Sequence, residues 1–120
     1  MTLHKICILG AGTLGSRVAL QSAISGFTVS IFDLKQASLD SAILTMQKIL
    51  RQLVRGGTLT ETQVPEILQR IQPTLDLAEA LKDADLVNES VTEDVAIKKS
   101  LWTEVGKLAA PHTWLTTNTS

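Results

Sequence analysis

Gly10, Gly12, Gly15 and Asp33 are the residues whose types and spacing offer chemistry in this chain. The glycines stand as Gly10-Ala11-Gly12-Thr13-Leu14-Gly15, a G-x-G-x-x-G spacing that lets backbone cradle a pyrophosphate. Each glycine then has its own task. Gly10 permits a tight turn, Gly12 lets the backbone come close to the phosphates, and Gly15 lets helix and strand pack closely. The amides at the helix start, Thr13 and Leu14 among them, would face the phosphates with the positive end of the helix dipole behind them. Such a pattern also occurs in turns that bind nothing, so the surrounding elements decide its meaning.

Those elements are in the required order. Lys5-Ile6-Cys7-Ile8-Leu9 is a short apolar run that predicts a buried strand, and it feeds straight into the glycines. Leu14 to Ile24 has the apolar spacing of a helix. Thr28 to Phe32 predicts a second strand with Asp33 at its end, about 20 residues beyond the glycines as a dinucleotide fingerprint requires. A carboxylate there can accept both ribose hydroxyls of an adenosine. It would repel a 2′-phosphate, so the expected cofactor is NAD rather than NADP.

A long helix is expected next, with Leu39, Ala42, Ile43, Met46, Ile49, Leu50 and Leu53 on one stripe and Gly56-Gly57 at its end. Thr60-Glu61-Thr62-Gln63 has capping-box form and predicts a second helix through Ile67 to about Arg70, with Pro65 in its first turns. This pair exceeds a minimal crossover between strands, and spacing alone favours a role in covering the sheet. Ile71 to Leu75 is a weaker strand candidate interrupted by Pro73. Asp76-Leu77-Ala78-Glu79 should cap a short helix from Leu77 to Lys82. Ala84 to Val91 predicts a strand, Glu93 to about Leu108 a helix capped by Thr92, and Trp114 to Thr117 a final strand.

Strands alternating with helices imply an α/β fold, a doubly wound parallel sheet of Rossmann type with a helical pair inserted after the second strand. Ligands of such sheets bind beyond the carboxyl ends of the strands. Four places therefore converge on one crevice: Gly10 to Gly15, Asp33, Val91 to Glu93, and Asn118 to Ser120.

The bulk numbers narrow the class. The 120 residues are 44% hydrophobic with a formal net charge of −1, which fits one globular domain and not a disordered chain. Scattered basic residues give no footprint for nucleic acid. The longest uncharged run, Val18 to Phe32, is short of a membrane span and is broken by Gly26, and no signal-peptide core is visible. The one cysteine, Cys7, cannot form an internal disulfide and falls in the first strand as a buried residue, which fits a reducing cytoplasm or matrix, with the cytoplasm as the expected location.

The order of motifs resembles the NAD-binding domain of L-3-hydroxyacyl-CoA dehydrogenases. It is carried by the glycine loop, Phe32-Asp33, Asp83 to Val87, Ser90-Val91-Thr92-Glu93-Asp94, Lys98-Lys99 and Thr117-Asn118-Thr119-Ser120, over essentially the whole chain. The resemblance implies that Leu14 meets NAD through its backbone and that Asp33 binds the adenosine ribose. It implies that Val91, Thr92 and Glu93 line the nicotinamide side, with Lys98 reaching in and Asn118 at the same edge. Ser120 matches the family serine beside the nicotinamide and the substrate's 3-oxygen. The helical pair matches a region that helps hold coenzyme A, which implies an acyl-CoA substrate.

There are departures. Leu14 stands for a usual methionine, Asn88 for an apolar strand residue, and Thr117 for a serine. The family's catalytic histidine and its partner glutamate lie downstream of the N-T-S motif, and the sequence stops at Ser120. His112 precedes the last strand and His4 opens the first, so both are expected at the opposite edge of the sheet. Residues 1–120 are thus expected to be an NAD-binding domain truncated at its C-terminal end. The helical domain expected to follow would supply the contacts of a homodimer.

Plainer readings stand beside these. Glu93 also suits a helix start, Lys98 and Lys99 could be a solvated face, and Trp102 and Trp114 read as packing residues. Two functional alternatives remain: a relative of the same fold acting on another small 3-hydroxy acid, and a non-catalytic module that senses NAD.

Overall fold

The computed structural model describes residues 4–89, 103–108 and 114–117. Its elements run β1 (Lys5–Leu9), α1 (Thr13–Ile24), β2 (Thr28–Phe32), α2 (Gln36–Arg55), α3 (Gln63–Gln69), β3 (Ile71–Thr74), α4 (Leu77–Leu81), β4 (Leu86–Glu89) and β5 (Trp114–Thr117). Residues 103–108 are helical as well. The strands form one five-stranded sheet in the order β3-β2-β1-β4-β5, with every pairing parallel. The chain winds outward from β1 through β2 to β3, then crosses to the other side of β1 for β4 and β5. That reversal between β1 and β4 opens a crevice at their carboxyl ends.

Alternation along the strands builds a core on each face of the sheet. Ile6, Ile8, Val29, Ile31 and Ile71 pack under α1, α2 and α3 with Ala19, Leu20, Leu39, Met46, Leu50 and Ile67. Cys7, Leu9, Phe32 and Val87 pack on the opposite face with Ala80 and Leu81 of α4 and with Val105. The α2 stripe expected from spacing is the buried one, through Leu39, Ala42, Met46 and Leu50, which join the core on the face of the sheet that carries α1.

The details follow local chemistry. Asp76 accepts hydrogen bonds from the Ala78 and Glu79 amides, the cap that starts α4. Gln63 Oε1 accepts from the Thr60 amide at 2.8 Å, yet the helical turns begin only at Gln63. Half of the expected capping box is therefore present, ahead of α3. Pro73 sits inside β3 without breaking it, because β3 pairs only with β2 at this edge of the sheet. The Val29 amide bonds the Arg70 carbonyl, and alternation from there turns the position of Pro73's missing N–H away from β2. Among the described residues, no helix is long and apolar enough to cross a membrane.

Candidate functional site

The glycine loop leaves β1 at the carboxyl edge of the sheet. The Gly10 amide bonds the Phe32 carbonyl at 2.7 Å, which carries the β1–β2 pairing one step past the strands. Gly10 then turns with φ of 108°, a conformation that side chains resist. Gly15 sits in the first turn of α1 against that turn. A Cβ on Gly15 would lie 1.9 Å from the Gly10 carbonyl oxygen and 3.4 Å from Ile8 Cγ2. Only a residue without a side chain lets α1 approach β1 this closely.

Gly12 has a different reason to be glycine. Its φ of −73° is open to any residue, and a Cβ there would meet no described atom within 4 Å. It is the N-cap of α1 and makes no side-chain cap, and the first turn of the helix holds no acid. The helix start therefore presents amides and a positive dipole end to open space, as an anionic ligand needs. Thr13 and Leu14 are exposed on this first turn, while Ser16 is buried and its hydroxyl bonds the Gly12 carbonyl at 2.7 Å. A cleft of about 340 Å³ continues from the loop along α2, between Gly12, Thr13 and Ser16 on one side and Ser38, Ser41 and Thr45 on the other.

Asp33 ends β2 beside this loop and is half-buried. Its Oδ2 accepts a hydrogen bond from the Ala11 amide at 2.9 Å, and its Oδ1 accepts one from the Lys35 amide at 3.0 Å. The structure thus brings Gly10, Gly12, Thr13, Leu14, Gly15 and Asp33 to one edge, as the sequence spacing requires. Val91, Thr92, Glu93, Lys98, Asn118 and Ser120 lie outside the described residues, as do His112 and Trp102. The strands that lead to them, β4 and β5, end at the same edge through the parallel register Leu9–Glu89–Thr117.

Two acids have places in the structure to which the sequence assigns no role. Glu89 is fully buried at the carboxyl end of β4, in register with Leu9. The signal was present in the alternation of Leu86-Val87-Asn88-Glu89, which puts Glu89 on the same face as buried Val87; Asn88, on the other parity, is only partly buried. Asp85 closes the opposite edge, where its Oδ2 accepts from the His4 and Lys5 amides at 2.8 and 3.0 Å. His4 is exposed there, at the amino end of β1 and away from the crevice. Cys7 is buried in mid-sheet, and burial pushes its thiol up to about 11, against smaller opposing effects of the Ser30 hydroxyl and Lys5. It is an inert core residue.

Comparison with known proteins fits this geometry. The family model for the 3-hydroxyacyl-CoA dehydrogenase NAD-binding domain matches residues 5–120. A probable 3-hydroxybutyryl-CoA dehydrogenase of Bacillus subtilis is 32% identical over 120 residues, covering 100% of this chain and 42% of that protein. The 3-hydroxyadipyl-CoA dehydrogenase of Escherichia coli is 33% identical over 120 residues, covering 100% of this chain and 25% of its own length. The crystal structure of the (S)-3-hydroxybutyryl-CoA dehydrogenase of Ralstonia eutropha superposes with a TM-score of 0.93 at 27% identity, over 99% of this chain and 42% of that one. The chain therefore spans less than half the length of each of these relatives.

Proposed function

Because the chain belongs to the 3-hydroxyacyl-CoA dehydrogenase family, as its NAD-binding domain, we propose that the whole protein is an oxidoreductase interconverting L-3-hydroxyacyl-CoA and 3-oxoacyl-CoA. The observation that carries this is the pairing of an uncapped α1 start, open at Gly12, with the Asp33 carboxylate at the same sheet edge. Both features fit NAD: free amides for the pyrophosphate and an acceptor for the ribose hydroxyls. When bound, NAD supplies the hydride acceptor or donor of the reaction.

The chain's own residues divide the remaining work. The amides of Gly12, Thr13 and Leu14 hold phosphate oxygens, and Asp33 holds the adenosine ribose. Val91, Thr92, Glu93, Lys98 and Asn118 line the nicotinamide side in this proposal. Ser120 is a catalytic residue that donates a hydrogen bond to the substrate's 3-oxygen and orients it. The proton of the hydroxyl goes to a histidine positioned by a glutamate, both beyond Ser120. The substrate carries coenzyme A, with the cleft along α2 beside the loop and the α2–α3 pair as the surface near it. Two further proposals accompany this one: a cytoplasmic enzyme, and a homodimer assembled through a helical domain beyond the matched region.

The test uses the full-length protein with NADH and acetoacetyl-CoA, followed by loss of NADH absorbance. Turnover is expected, and Ser120→Ala should lower kcat by on the order of 10²-fold, the scale for removing one donor to a reacting oxygen. No oxidation of NADH with any 3-oxoacyl-CoA would overturn the proposed activity.

A further inference from the structure

Asp33 is already engaged before any ligand is considered. The β1–β2 pairing continues past the strands through the Gly10 amide and the Phe32 carbonyl. The next amide in the loop, Ala11, has no strand residue to meet, and the Asp33 side chain takes that place with Oδ2 at 2.9 Å. The other oxygen accepts from Lys35, the N-cap of α2, at 3.0 Å. One carboxylate therefore ties the glycine loop to the start of α2. Such charge-assisted bonds are stronger than neutral ones, and the bond to Ala11 is partly shielded from water while the bond to Lys35 is exposed.

We propose that Asp33 is a positioning residue for the pyrophosphate as well as the ribose ligand: its carboxylate clasps the glycine loop in the shape that binds phosphate. The proposal rests on the reading of this edge as the NAD site. Each Asp33 oxygen keeps a lone pair beyond its backbone bond, so the clasp and the ribose contact are compatible. A consequence follows for cofactor choice. Replacing Asp33 to admit a 2′-phosphate also releases Ala11, so Asp33→Ala loses NADH affinity without a matching gain for NADPH. Ribose recognition alone predicts a simple relaxation of preference.

Calorimetric titration with ADP and with 2′,3′-dideoxy-ADP separates the two roles, because the second ligand has no ribose hydroxyls for Asp33 to hold. Wild type should bind both, ADP more tightly. Asp33→Ala should weaken dideoxy-ADP by about tenfold, the equivalent of one charge-assisted hydrogen bond. Electrostatics alone has the opposite sign, since removing a negative charge near an anionic ligand favours binding. Asp33→Asn, which keeps one acceptor oxygen, should fall between the two.

Unchanged or tighter binding of dideoxy-ADP to Asp33→Ala would overturn the clasp while leaving the NAD site intact. Failure of wild type to bind either nucleotide would overturn both. Amide exchange in ligand-free wild type gives a second measure that no misfolded variant can confuse. The Ala11 amide should be protected to a degree comparable with Gly10, and free exchange at Ala11 with protection at Gly10 would overturn the clasp.

Discussion

Single residues in the loop do separable jobs, and the separation is measurable. Gly12→Val should leave the fold intact, because its backbone conformation is ordinary and no described atom crowds the position. Binding of NADH should fall by at least about 100-fold, since the branched side chain fills the space through which phosphate approaches. Circular dichroism and calorimetry on one sample test this, and an unfolded variant would show that Gly12 serves the turn instead. Gly15→Ala should behave oppositely. Its Cβ would overlap the Gly10 carbonyl, so a loss of stability of about 1–3 kcal/mol is expected, the usual cost of overpacking. Cys7 gives a pH signature. The folded state keeps the thiol protonated up to about 11, against an ordinary value of 9.0. The unfolded chain releases this proton first, so the contribution is fully present below pH 9 and is lost between pH 9 and 11. The slope is at most about 1.4 kcal/mol per pH unit. Urea midpoints at pH 8 and pH 10 should show the drop, and Cys7→Ala should show a smaller one; equal slopes would exclude Cys7 as the source.

Elements were legible in the sequence where local and long-range forces agree. β1, α1 and β2 were readable from apolar runs set around glycines, and α2 from a stripe that proves to be the buried face. The Asp76 cap of α4 was readable too, because a side-chain oxygen three residues ahead of an acid is a local signal. Asp76→Ala should therefore cost about 1 kcal/mol, seen as a lower denaturation midpoint, and Asp76→Ser should restore most of it. What escaped depended on partners far along the chain. Pro73 weakened the reading of β3, since sequence does not reveal which strand stands at the edge. Glu89 shares the buried parity of Val87 in the strand alternation, but its type argues against burial, since a carboxylate is rarely placed fully inside. The spacing of Asp33 marks it as a candidate ribose ligand, and the structure places it beside the glycine loop. Its bond to Ala11, 22 residues away, was not legible, because it needs the β1–β2 register to be known.

At the scale of the whole molecule, the reversal of strand order between β1 and β4 places the glycine loop and Asp33 on one crevice and leaves His4 at the far edge. If the general base is the proposed histidine beyond Ser120, residues 1–120 should bind NADH yet turn over acetoacetyl-CoA slower than the full-length protein by at least a factor on the order of 10²–10⁴. Substantial turnover by these residues would require a proton acceptor among positions assigned here to structure. If Asp33 sets the cofactor choice at this edge, parallel calorimetric titrations of the wild-type protein with NADH and NADPH will separate the two nucleotides. NADH should bind one per chain and NADPH at least about tenfold more weakly, because its 2′-phosphate meets a like charge. Equal affinities would contradict the role given to Asp33, and no binding of NADH would contradict the NAD site itself.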